Sequence, residues 1–186
     1  MNIAFKIVKE SSFALALCGI MSSVGGITLE SISHKVYALL PFIILLPAMN
    51  DLVGDFGCII ASRFIEWLET KEIKKEKWWK SHLIGVFFTN LLTVALLSIF
   101  YLVVLALLLG YVKGYSLSAD FVIKTLLACL FSGMIVIAVI FWLAVTLGFY
   151  YHKRKIDPSN TLVPLMTSFA DMGSIILLTI MIVVLF

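Results

Sequence analysis

Charge is what this chain has least of. Asp, Glu, Lys and Arg make up 13% of its 186 residues against 62% hydrophobic ones, and the mean hydropathy is +1.10. Soluble domains use roughly 45–50% apolar residues, so an integral membrane protein is expected. The few charges gather between the apolar runs, and the net charge of +3 therefore bears on membrane orientation, not on nucleic-acid binding. Cysteine is nearly as scarce. Cys18, Cys58 and Cys129 all fall inside apolar runs at spacings that form no metal or redox pair, and they read as buried thiols. His34, His82 and His152 lie at span ends, where residence at the interface accounts for them better than metal binding. A short basic, apolar and small-residue leader with a clear cleavage site is missing, so the first apolar run is expected to belong to the mature protein.

What the chain does have is apolar length. A helix crossing about 30 Å of hydrocarbon needs roughly 20 residues, and on that ruler five spans are placed at about 12–29, 36–65, 83–109, 121–150 and 158–186. Residues 66–82, EWLETKEIKKEKWWKSH, are the only extended hydrophilic stretch. Their alternating Glu and Lys suit a solvated or interfacial helix with pairing across turns, and Trp78 and Trp79 suit an interfacial belt in contact with membrane lipid. In the first span Gly19 and Ser23, like Ser22 and Gly26, have the small-xxx-small spacing of close helix packing. In the third, Asn90 and Thr93 read as interhelical hydrogen-bonding groups.

Loop charge sets the orientation. With the N-terminus cytoplasmic, the inside carries Lys6, Lys9, Arg63, Lys71, Lys74, Lys75, Lys77, Lys80, Lys153, Arg154 and Lys155, and the outside only Lys35, Lys113 and Lys124. Eleven against three is a strong positive-inside bias. Five spans then leave Phe186 outside.

Against this background three carboxylates are out of place. Asp51 and Asp55 sit four apart near the middle of the second span, where an ionised carboxylate costs roughly 2.5–3.5 kcal/mol on insertion scales. Pro41 and Pro47 in the same span each remove a backbone donor, so a kink or local unwinding is expected, with freed carbonyls facing an ion or water. The last span opens with Asp157 as N-cap and Pro158 at the first helical position. Asp171 lies fourteen residues on, about 21 Å at 1.5 Å per residue, near the membrane centre. Pro164, Thr167, Ser168, Asp171 and Ser174 recur at spacings of three and four, which makes one polar stripe.

Three readings of these acidic groups stand beside one another. Carboxylates, hydroxyls and freed carbonyls suit a divalent cation, since hard ions take oxygen ligands and magnesium is often held through its water by one or two carboxylates. Alternatively the aspartates titrate and carry protons for a coupled exporter. In the third reading they are structural, satisfied across helices by Asn90, Thr93 or hydroxyls. Cys58, three residues from Asp55 and seven from Asp51, adds a soft ligand that would favour manganese or zinc, although packing explains it as well.

Pro47 followed after six residues by Gly54-Asp55-Phe56-Gly57 resembles the second-helix motif of the MgtE magnesium channels: proline, six residues, Gly-Asn, one residue, Gly. Ala61-Ser62-Arg63 is more like their eukaryotic solute-carrier relatives. Asp157-Pro158, Pro164, Thr167-Ser168 and Asp171 are similar to that family's fifth helix, with the same separation between the aspartates. The resemblance implies an all-α bundle of five transmembrane helices in the cell membrane that forms a parallel homodimer, with a pore at the dimer axis lined by helices two and five. It implies that Asp171 holds hydrated Mg2+ and that Asp157 stands at the cytoplasmic mouth. Asp51 and Asp55 would add an acidic wall, and Thr167 and Ser168 hydroxyl contacts. Asp55 replaces the motif asparagine, and Asp51 stands where the family tends to have a small residue, differences that bear on selectivity or on coupling to protons or sodium. The cytoplasmic magnesium-sensing domains of the bacterial channels have no counterpart in the 186 residues.

Transport of a divalent cation, Mg2+ first, is thus the expected function of a single transmembrane domain over 1–186, with a coupled carrier or exporter of Mn2+, Zn2+ or Co2+ as the alternative. An enzyme is less expected. Asp51-x3-Asp55-x-Gly57 superficially resembles the acidic motif of membrane CDP-alcohol phosphotransferases, but that motif needs a further Gly-x3-Asp-x3-Asp where this chain has EWLETKEIKKEKWWK.

Overall fold

In hydrocarbon every backbone N–H and C=O needs a partner within its own segment, so long apolar runs become helices. The computed structural model describes residues 3–73, 78–154 and 157–186. Among the described residues there are helices and no strands: α1 Ile3–Glu30, α2 Ser33–Ala38, α3 Leu40–Glu69, α4 His82–Val112, α5 Ala119–Lys153 and α6 Pro158–Leu185, with a 3₁₀ turn at Trp78–Lys80. Five of them, all but α2, are long and apolar enough to cross a membrane.

Two boundaries differ from expectation. The second span begins after a break at Leu39 (φ −113°, ψ 78°), with Pro41 in the first turn of α3, where its missing donor costs nothing. Helix continues unbroken through Pro47, so the expected unwinding is absent. A proline here removes one bond, to the Ile43 carbonyl, and neighbouring helices hold the rest in place. Nor is the charged segment 66–82 one interfacial helix. Its first turn completes α3, Lys71 reverses the chain at φ 59°, and Trp78–Lys80 forms the short turn ahead of α4. Residues 74–77 and Lys155 lie outside the described residues. Glu66 pairs instead with Arg63, outside that segment, Nη1 to Oε2 at 2.7 Å with both side chains exposed.

Helix α6 is the hub. It packs on α1, α3 and α5, while α3 also packs on α4 and α5. Met49, Ile60, Ile99, Ile137, Leu162 and Met166 are wholly buried between these helices. Outward-facing Phe13, Ile20, Leu97, Tyr101 and Trp142 give the apolar exterior that lipid requires. The bundle is pinned near one end by Phe42, Phe121 and Phe186, with ring centroids 5.3 to 6.1 Å apart. The Cys18 thiol donates to the Pro164 carbonyl at 3.3 Å and ties α1 to α6. Cys129 is buried as expected, whereas Cys18 and Cys58 are only half-buried.

Some polar and small residues point away from the bundle. Gly19 and Gly26 have nothing within 4 Å of a built Cβ; Gly25 instead is the α1 glycine set against α6, facing Ile175 and Met172. Asn90 and Thr93 are exposed, and Thr93 donates to Thr89 O at 2.9 Å within its own helix. They therefore do not satisfy the aspartates, for which the structural reading offered them or hydroxyls as partners.

Candidate functional site

The N-terminus of α6 forms as its sequence dictates: Asp157 Oδ1 accepts from the Ser159 N–H at 2.9 Å, with Pro158 as the first helical residue. From there α6 runs antiparallel to α3, and two glycines of α3 set how close the helices come. A Cβ on Gly57 would lie 2.9 Å from the Met166 carbonyl oxygen and 3.3 Å from Ala170 Cβ. One on Gly54 would lie 2.7 Å from Asp171 Oδ1 and 3.6 Å from Thr167 Cγ2. Glycine at 57 is thus required by the backbone of the neighbouring helix, as in other small-residue helix contacts in membranes, whereas at 54 the missing Cβ leaves room for the end of the Asp171 side chain.

This contact brings the aspartates of two helices to one height. A cavity of about 280 Å³ is lined by Pro47, Asn50, Asp51, Gly54, Asp55, Thr167 and Asp171. Asp51 and Asp55 are exposed and Asp171 is half-buried. Among the described residues no Lys or Arg pairs with any of the three. Thr167 donates to the Val163 carbonyl at 3.0 Å, so its hydroxyl oxygen retains acceptor capacity. Toward the Leu46 and Leu178 end the cavity is closed by Ser174, whose hydroxyl reaches Asn50 Oδ1 at 2.6 Å and the Asp171 carbonyl at 3.0 Å.

The lining offers oxygen ligands, with amide nitrogen only on Asn50 and no sulfur, a donor set suited to hard cations. At about 30 Å³ per water the volume holds roughly nine waters, enough for an ion that keeps its octahedral shell. Among the described residues no group of three His, Cys, Asp or Glu side chains is placed to hold a metal ion. The acidic groups instead form one wall, open on the side away from the bundle.

Not every expected residue joins that wall. Asp51, Asp55, Asp171 and Thr167 do. Ser168 does not: it is buried and absent from the lining, because one residue along a helix turns the side chain about 100° from Thr167. Asp157 is exposed at the far end of α6, its carboxylate engaged as a cap. Cys58 does not line the cavity. Asn50 does, and the sequence reading missed it; a polar residue beside Asp51, four before Gly54 on the same face, was the available signal.

Fold and site together define a multi-pass membrane protein with an acidic, oxygen-lined cavity between two of its spanning helices. The model of the MgtE divalent cation transporter family matches residues 46–181, and the chain belongs to that family. No curated protein and no solved structure matches it. The family is one of divalent cation transporters, which supports transport of divalent cations in general.

Proposed function

We propose that two copies of this chain associate in parallel about a two-fold axis and conduct hydrated Mg2+ between their α3–α6 faces, inward across the cell membrane. The observation that carries this reading is the open acidic wall. Asp51 and Asp55 are exposed on a single chain, with no cation beside them among the described residues, at a depth where lipid cannot solvate a carboxylate. A second copy of the same wall, related by a two-fold axis, encloses the carboxylates around water and an ion. Asp171, held at the helix contact by the absence of a Cβ on Gly54, is the main ion-holding group, acting through the ion's water. Asp51 and Asp55 add negative potential, and Thr167 accepts from coordinated water.

Positive-inside bias supports a cytoplasmic N-terminus, which puts Asp157 at the cytoplasmic mouth. In that orientation an inside-negative potential favours entry of a double charge by about 4.6 kcal/mol per 100 mV. Asp55, in place of the motif asparagine, supports the coupled carrier of another divalent metal as the second reading. Both are tested by purified protein in liposomes loaded with a divalent-sensitive dye. Asp171→Ala, folded and dimeric, is expected to abolish uptake, and uptake at the native rate would exclude the site. Dependence on a sodium or pH gradient in the same vesicles would identify a carrier, and its absence a channel.

A further inference from the structure

A cleft larger than the acidic cavity lies elsewhere, at the end of the bundle where α5 stops. About 650 Å³ in volume, it is walled by Trp78 and Trp79 from the 3₁₀ turn and by Phe149, Tyr150, Lys153 and Arg154 from the last turns of α5. We propose that this cleft is a binding site for an anionic phospholipid, with the phosphate at Lys153 and Arg154 and the upper acyl chains against the aromatic floor.

Polarity along the cleft carries the inference. Its lining begins on α5 at Val145, nine residues before Arg154, or about 13 Å along the helix axis. Over that length the lining changes from Val145 and Thr146, whose hydroxyl is turned to the Trp142 and Leu143 carbonyls of its own helix, through Phe149 and Tyr150 to Lys153 and Arg154, the order in which a phospholipid presents chain, glycerol and headgroup. The cations are placed for it. Arg154 lies with its guanidinium carbon 5.1 Å from the Tyr150 ring centroid, an arrangement that orients the fork while leaving its N–H donors for phosphate. Among the described residues neither Lys153 nor Arg154 pairs with a carboxylate.

A simpler account has both cations facing the negative end of the α5 dipole and both tryptophans resting at the interface. That account treats the two groups separately. It gives no reason for residues from two segments to enclose one cleft, with the indoles edge to face at 6.0 Å along one side. A soluble phosphate would meet the cations but leave the aromatic and aliphatic part of the cleft empty, which favours the lipid.

Tryptophan fluorescence of the full chain in mixed micelles tests the assignment. Trp142 and Trp79 are 58% and 63% exposed and would be quenched by any lipid, so the background is Trp142→Phe with Trp79→Phe; Trp67 is buried. Lipid brominated high on the acyl chain then reports on Trp78, the half-buried indole of the cleft. Two surface cations give an expected preference of about tenfold or more for brominated phosphatidylglycerol over brominated phosphatidylcholine, read as the lipid fraction for half-quenching. Lys153→Gln with Arg154→Gln is expected to bring that ratio near one with unchanged helical circular dichroism, whereas Lys124→Gln, at the opposite end of α5, leaves it intact. Equal quenching by the two lipids, or a preference that survives the double variant, would overturn the site. Displacement of the brominated phosphatidylglycerol by millimolar inorganic phosphate would overturn the lipid assignment in favour of a soluble anion. None of these readouts involves transport, so they stand or fall independently of the proposed pore.

Discussion

Replacing Gly54 by alanine puts a methyl group where the Asp171 carboxylate now lies. The new Cβ would be 2.7 Å from Asp171 Oδ1 and 3.6 Å from Thr167 Cγ2. Restoring an ordinary contact of about 3.5 Å requires a shift of roughly 0.8 Å. The first of those neighbours is the end of a side chain with room in the open cavity, so rotation of Asp171 relieves the clash and the helices stay where they are. Gly57→Ala is the matched control, because its Cβ would lie 2.9 Å from the Met166 oxygen and 3.1 Å from the Met166 carbonyl carbon. Backbone cannot rotate away, so α3 and α6 must part, at an overpacking cost of about 1–3 kcal/mol. The two variants are therefore expected to separate function from stability. Gly54→Ala should keep the thermal midpoint in detergent within about 2 °C of the parent while divalent uptake falls at least about tenfold, since sites tolerate misplacement of only about 0.5 Å. Gly57→Ala should lower the midpoint and the yield of monodisperse protein. Normal uptake by Gly54→Ala would refute the link between the helix contact and the ion site, and equal destabilisation of both would refute the distinction between side chain and backbone.

Breaking the Ser174–Asn50 hydrogen bond by Ser174→Ala should cost about 0.6 kcal/mol, and at most about 1.7, as for other polar contacts between membrane helices; thermal unfolding of the purified protein measures it. Asp157→Ala removes both cap and charge and should destabilise α6 by about 0.5–2 kcal/mol, whereas Asp157→Ser keeps the cap. If Asp157 also draws ions to the mouth, the serine variant will be stable yet slow at low external or internal Mg2+, and native uptake would reduce Asp157 to a cap. Cysteine at position 51, in a chain with Cys18, Cys58 and Cys129 replaced by alanine, should cross-link two copies on mild oxidation if the acidic walls face each other. Failure to cross-link, with a dimer present by light scattering, would place the interface elsewhere. Arg63→Ala breaks an exposed pair and should change stability by no more than about 0.5 kcal/mol.

The five spans were legible because hydrocarbon thickness fixes apolar length, and the start of α6 because Asp157-Pro158 is a local signal that needs no neighbour. The acidic positions were legible for a similar reason: a carboxylate in an apolar run stands out whatever packs on it. Rotation about each helix axis was much less so. A helix that is apolar all round has no amphipathic stripe to say which face meets another helix. Thus Gly19, Ser22, Ser23 and Gly26 read as a packing seam and instead face outward, as do Asn90 and Thr93. Ser168 was assigned to the site because it shares a stripe with Thr167 and Asp171, but a stripe is broader than a cavity. Asn50 was overlooked because its role depends on Ser174, 124 positions away and visible only once α3 and α6 are paired.

The antiparallel fit of α3 and α6 also has a consequence for how the protein is made. During synthesis α3 leaves the ribosome well before α6, so Asp51 and Asp55 must be accepted into the bilayer with neither Asp171 nor any of its neighbours yet available. The aliphatic and aromatic residues of α3 alone, Phe42 through Ile65, have to outweigh two carboxylates at that stage. Any substitution that trims them is therefore expected to act first on biogenesis, as a failure of α3 to insert, before it acts on the finished bundle.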